Sequence, residues 1–132
     1  MDFVAFSKQF AKKIGGEYDE YNENYSIFII PLKDKRFQTV MARIIHHEKY
    51  NKDVVQITSK VCPTTEKINY PEVLEASKDF LYTNFIVEDG FLKVDTSLLL
   101  DQSSEDLIEE IIKEVAYTAD EWEFKITGKD IY

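Results

Sequence analysis

The sequence predicts an α+β domain: a helix, a three-strand antiparallel meander, a second helix, a β-hairpin and a long C-terminal helix, with the helices packed on an antiparallel sheet. Three observations carry this reading. Apolar residues recur at helical spacing over residues 2–14 and again from Ser103 onward. Runs rich in Ile, Val and Phe, separated by short polar turns, fill residues 25–61. Asp89-Gly90 lies between two further apolar runs, the pattern of a tight hairpin turn. With 132 residues and no Pro/Gly/Ser linker or repeat, residues 1–132 form a single domain.

Each element has a local cause. In residues 2–14, Phe3, Phe6, Phe10 and Ile14 share one helical face, Asp2 is the N-cap, and Gly15-Gly16 stops the helix because Gly accepts the left-handed conformation after it. Glu17–Asn24, acidic and Tyr-rich, is expected as a loop or frayed strand. Tyr25–Leu32 is the first clear strand, with Pro31 placing it at an edge or marking its terminus, since Pro cannot donate to the ladder. Arg36–Ile45 is the second, with Phe37, Thr39, Met41, Arg43 and Ile45 on one face, and Asp53–Val61 is the third. Short links between them favour an antiparallel meander.

Asn69-Tyr70-Pro71 starts a helix expected to reach about Tyr82, because Pro is tolerated in the first helical turn. The hairpin follows on either side of Asp89-Gly90. Ser103 or Ser104 then caps the last helix, whose buried stripe is Leu107, Ile108, Ile111, Ile112, Val115, Ala116 and Ala119, with Trp122 as a core anchor and Gly128 as its end.

Composition excludes several function classes. The 25 Asp and Glu against 16 Lys and Arg give a net charge of −9, and nucleic-acid binding needs the opposite balance. The charge is uneven: +2 over residues 1–60 and −11 over residues 61–132, most of it from Asp101 onward. A solvated acidic surface is the simple reading, and an electrostatically steered binding face is the functional one. No apolar run approaches a membrane span, and the N-terminus lacks the basic-then-apolar pattern of a leader, so a cytoplasmic chain is expected. Cys62 is the single cysteine and cannot form an internal disulfide.

No catalytic, cofactor-binding or metal-ligating set emerges. GxGxxG, GxxxxGK[ST] and GxSxG are absent. His46 and His47 are adjacent, so on a strand they point to opposite faces, and a metal would have to recruit carboxylates from elsewhere. Cys62 beside Pro63 reads as a small buried hydrophobe, because a reactive thiol needs a neighbouring base or cation. Glu109, Glu110, Glu114, Asp120, Glu121 and Glu123 are expected to form the solvated face of the last helix. The tyrosines, among them Tyr18, Tyr21, Tyr25, Tyr50, Tyr70 and Tyr82, either rim the core or serve an interface, where Tyr is enriched.

The layout resembles the type III secretion chaperone-like fold. Arg36-Phe37-Gln38-Thr39-Val40, Phe80-Leu81-Tyr82-Thr83-Asn84-Phe85 with the hairpin after it, and Ala119-Asp120-Glu121-Trp122-Glu123 with Gly128 and Asp130 are similar to its YbjN-type branch. The resemblance covers nearly the whole chain and rests on structural motifs. It implies a small, often dimeric protein of a family without established enzymatic chemistry, whose secretion-side relatives bind an unfolded stretch of a partner; it transfers no functional residue set. A non-enzymatic, chaperone-like protein- or peptide-binding module, with a homodimer as a further expectation, is therefore the first reading. An acidic module of this kind is expected to prefer basic or amphipathic segments. The alternatives are a small-molecule or metal-dependent enzyme or sensor around His46, His47 and Cys62, and an acidic immunity-type inhibitor of a basic toxin.

Overall fold

A computed structural model describes residues 1–22, 24–129 and 132 of the chain. Its elements are α1 (Phe3–Lys13), β1 (Glu17–Asn22), β2 (Tyr25–Pro31), β3 (Phe37–His47), β4 (Lys52–Pro63), α2 (Tyr70–Ala76), β5 (Asn84–Glu88), β6 (Phe91–Leu99) and α3 (Glu105–Thr127). The six strands form one antiparallel sheet in the order β1-β2-β3-β4-β6-β5. The α+β architecture is the one expected from the sequence.

The meander is one strand longer than its apolar pattern suggested. Glu17–Asn22 has almost no apolar alternation, yet it pairs with β2 from Glu17↔Ile29 to Asn22↔Tyr25. An edge strand can be this acidic because its outer side meets water, and its charge discourages pairing with another chain. β2 consequently lies inside the sheet, and Pro31 sits at its terminus. The hairpin has the expected turn, with Asp89 and Gly90 both at positive φ (54° and 78°). Its second strand, β6, runs on to Leu99 and pairs with β4, which joins the hairpin to the meander.

The second helix is shorter than expected. It ends at Ala76 and tightens into a 3-10 turn over Ser77–Asp79, and Phe80 is already extended. Glu114 of α3 explains the change: its two carboxylate oxygens accept the N–H groups of Leu81 and Tyr82 at 2.8 and 2.9 Å, fixing non-helical backbone there. Val73 is buried, whereas Leu74 and Leu81 face water.

α1 packs on β1 and β2, α3 on β3, β4 and β6, and α2 beside β5, so the core lies between these helices and one face of the sheet. Phe3, Phe6 and Phe10 form a ring ladder ending edge-on against Phe28. Trp122 is buried against Phe85 with their rings nearly perpendicular. Ser104 caps α3 by accepting from Leu107 N–H, and Gly128 ends it in the left-handed conformation.

Two carboxylates expected on the solvated face of α3 are instead buried. Asp120 is 4% exposed and Glu123 is 1% exposed. They continue the helical phase of Ala116 and Ala119, and burial is tolerated because each finds donors. Arg36 pairs with Asp120, and Glu123 accepts the Tyr132 N–H at 3.2 Å. Tyr132 in turn accepts the Thr39 N–H at 2.8 Å, just beyond Met41↔Thr58, where the β3–β4 pairing ends. The amide of Gln38 bridges the same gap by donating to Ser59 and the Lys60 carbonyl.

Candidate functional site

Strand alternation gives the sheet two unlike faces. Phe28, Ile30, Val40, Ala42, Val55, Ile57 and Val94 point under the helices and are buried. Their neighbours point to the other face, on which no helix packs among the described residues. Cross-strand register arranges that open face in rows. Near the β3–β4 turn, Ile45 faces Val54 and Val54 faces Leu99, so one aliphatic side chain from each of β3, β4 and β6 stands side by side. His47 faces Lys52 in the next row outward. Ile45, His47, Tyr50, Lys52, Val54 and Leu99 border a groove of about 550 Å³.

The middle of the face is polar and connected. Tyr25, Arg43, Gln56 and Ser97 form one row across β2, β3, β4 and β6. Arg43 donates to the Gln56 side-chain oxygen at 2.9 Å, and the Gln56 amide donates to Asp95 at 3.2 Å. Lys93, only 6% exposed, donates to Glu88 at 2.9 Å. Burial raises the Asp95 carboxyl above its ordinary range, a shift reinforced by Glu88 and opposed by the Gln56 hydrogen bond and by Lys93 and Arg43. At the far end the Lys60 ammonium sits 4.3 Å from the centre of the Phe91 ring, which meets Tyr132 edge-on. The face thus has an aliphatic end, a polar centre and an aromatic end.

His46, His47 and Cys62 do not converge. His46 and His47 lie on opposite faces at one end of β3, as adjacent strand residues must. His46 is held by Asp53 at 3.0 Å and Asn51 at 3.1 Å, and the Asp53 bond raises its pKa from the ordinary 6.5. His47 stacks obliquely on Tyr50 at the groove. Cys62 is buried at the opposite end of β4; from Asp53, the partner of His46, the strand runs about 30 Å at roughly 3.3 Å per residue. Burial, and secondarily Glu123, raises the Cys62 pKa, which suppresses the reactive thiolate. No group of three or more His, Cys, Asp or Glu side chains suited to a metal ion occurs among the described residues.

A second cleft, of about 640 Å³, opens at the helix side beside Arg36 and Asp120, with Pro31, Leu32, Lys33, Tyr117 and Glu121 around it. Two of its four charged side chains, Arg36 and Asp120, are committed to each other. The open sheet face is the more varied surface, with its aliphatic, polar and aromatic stretches.

No protein-family model matches the chain, and no curated protein matches it significantly. Asp130, one of the residues on which the resemblance rests, lies outside the described residues, as does Glu23 of the stretch before β2.

The polar centre was not singled out from sequence. Leu92-Lys93-Val94-Asp95 alternates strictly, so a period of two places Lys93 and Asp95 on one face. That Gln56 and Arg43 stand opposite them depends on β6 pairing with β4, a contact between segments far apart in the chain.

Proposed function

We propose that this chain is a small non-enzymatic, chaperone-like protein-binding module that receives a segment of a partner polypeptide on the open face of its sheet. The observation that carries the reading is the one-sidedness of the fold: α1 and α3 both pack on one face, and the other exposes apolar rows interleaved with Arg43, Gln56, Lys60 and Asp95. A mixed surface of this kind, with aliphatic and aromatic anchors around a hydrogen-bonded polar centre, has the composition of a non-obligate interface. The resemblance to the YbjN-type branch of the type III secretion chaperone-like family is a second support and brings with it a homodimer; a cytoplasmic setting is part of the same proposal. No described helix is long and apolar enough to cross a membrane.

Site-specific photo-crosslinking tests the reading. A crosslinking residue at Met41, on the open face, is expected to give a discrete polypeptide adduct in cells. The same group at Tyr117, on the exposed side of α3, is expected to give none. Arg43→Glu with Ile45→Asp should abolish the Met41 adduct while leaving the circular dichroism spectrum intact. Identical adducts from both positions, or an adduct indifferent to the double substitution, would remove the proposal.

A further inference from the structure

We propose that the groove at the β3–β4 turn is a binding site for a medium-chain carboxylate, with an unbranched aliphatic tail along Ile45, Val54 and Leu99 and its head at the Lys52 ammonium. The size fits a small molecule: about 550 Å³ lies within the usual range of roughly 300–1,000 Å³ for ligand pockets. The shape favours a linear tail. Ile45, Val54 and Leu99 are direct cross-strand neighbours on three adjacent strands, so they form a straight aliphatic lane about 10 Å long at ~4.8 Å per strand spacing. Tyr50 and His47, in ring contact with each other, wall its outer side, in the row that His47 shares with Lys52.

The charge on that side selects the head group. Among the described residues, Lys52 is the one lining side chain of full charge, and no carboxylate lines the groove. Lys49 adds a second ammonium over the Tyr50 ring at 5.5 Å. Of the acids close in sequence, Glu48 lies in the adjoining turn, Asp53 points to the opposite face and is bonded to His46, and Asp101 follows Leu99 by two residues. The groove therefore presents cations beside an apolar lane, in the next row outward, inside a chain whose net charge is −9. A ligand with an anionic head is complementary here, in contrast to the basic partner expected from the overall charge. This site occupies one end of the open face, and the inference stands independently of the protein-binding reading.

The test is a titration of the full-length chain followed by amide NMR shifts, using octanoate, decanoate, decanol and decylamine below their aggregation concentrations. Decanoate is expected to bind saturably at one site, with shifts centred on Ile45, Tyr50, Val54 and Leu99. Affinity should rise about three- to fourfold per methylene from octanoate to decanoate, since each buried methylene contributes a roughly constant amount. Decylamine should bind about tenfold more weakly, one exposed attraction being replaced by a repulsion of similar size. Lys52→Glu, an exposed substitution that leaves the core untouched, should invert the order of decanoate and decylamine. Equal binding of the three head groups, retention of the order in Lys52→Glu, shifts spread without saturation over the whole face, or the absence of saturable binding would each overturn the proposal.

Discussion

Arg36 grips Asp120 through two guanidinium nitrogens: Nε lies 3.2 and 3.0 Å from the two carboxylate oxygens, and Nη2 lies 3.0 Å from Oδ2. The same guanidinium sits 5.1 Å from the centre of the Phe124 ring. This pair ties the turn between β2 and β3 to the middle of α3, across elements that no local rule brings together. The turn it anchors holds Asp34 and Lys35 at positive φ, a conformation that non-glycine residues adopt only at a cost.

Removing one partner leaves the other without its charge complement. The side chain of Asp120 is 6% exposed and that of Arg36 is 27% exposed. Arg36→Ala is therefore expected to cost roughly 3 kcal/mol, the lower end of the range for breaking a buried pair, because water reaches the arginine side. Arg36→Lys keeps the charge and loses the fork, and should cost about 1 kcal/mol. Chemical denaturation midpoints of the two variants check the order.

Gly15 and Gly16 are adjacent and should respond differently to alanine. Gly15 has φ +69° with nothing within 4 Å of an added Cβ, so Gly15→Ala carries only the left-handed backbone penalty, about 1 kcal/mol. A Cβ on Gly16 would run into the Ile29 carbonyl oxygen and crowd Pro31 and Ile14. Backbone cannot swing aside as a flexible side chain can, so Gly16→Ala is expected to cost about 2–3 kcal/mol. Thermal melts showing the larger loss at Gly15 would contradict this account of how α1 meets β2.

His46 should titrate above its ordinary value of 6.5 because Asp53 accepts a hydrogen bond from the ring. A histidine whose folded pKa is raised stabilises the fold fully below the unfolded pKa, and that contribution disappears as pH rises through the folded value. Asp53→Asn removes the principal cause, so the His46 midpoint should fall and the associated pH dependence of stability should flatten. Imidazole proton shifts followed through a pH titration measure both.

Asp95 carries a consequence of the same sign in the carboxylate range. Burial raises its carboxyl above the ordinary 3.8, so the native state holds that proton more tightly than the unfolded chain does. Stability should decline as pH climbs from the ordinary value through the raised one, where the folded carboxyl ionises. Asp95→Asn keeps an oxygen to accept from Gln56 and removes the titration, so denaturation midpoints should lose that slope. An unchanged slope would show that another group carries it.

Much of the fold was legible from neighbouring residues. Asp2 caps α1 as read, Ser104 is the one of the two candidate serines that caps α3, Asp89-Gly90 makes its turn, and Gly128 ends α3. These are contacts within a few residues, so sequence spacing is enough to specify them. The same local rules over-extended the second helix, because the carboxylate that ends it, Glu114, lies on α3. They also placed Asp120 and Glu123 in solvent, because residue type outweighed helical phase and the compensating donors lie far away in the chain.

The sequence by itself determined the α+β class, the order of the major elements, the alternation that gives each strand two faces, and the acidic second half. Only the tertiary structure decided that β6 pairs with β4 and that a row of Ile45, Val54 and Leu99 follows on the open face. It also decided that Arg43, Gln56 and Asp95 join across three strands and that Cys62 lies at the end of β4 opposite to Asp53, the partner of His46. The physical reason is the range of the forces. Caps, turns and periodicity act within one or two turns of chain, whereas a surface is assembled by register between strands that the sequence keeps far apart.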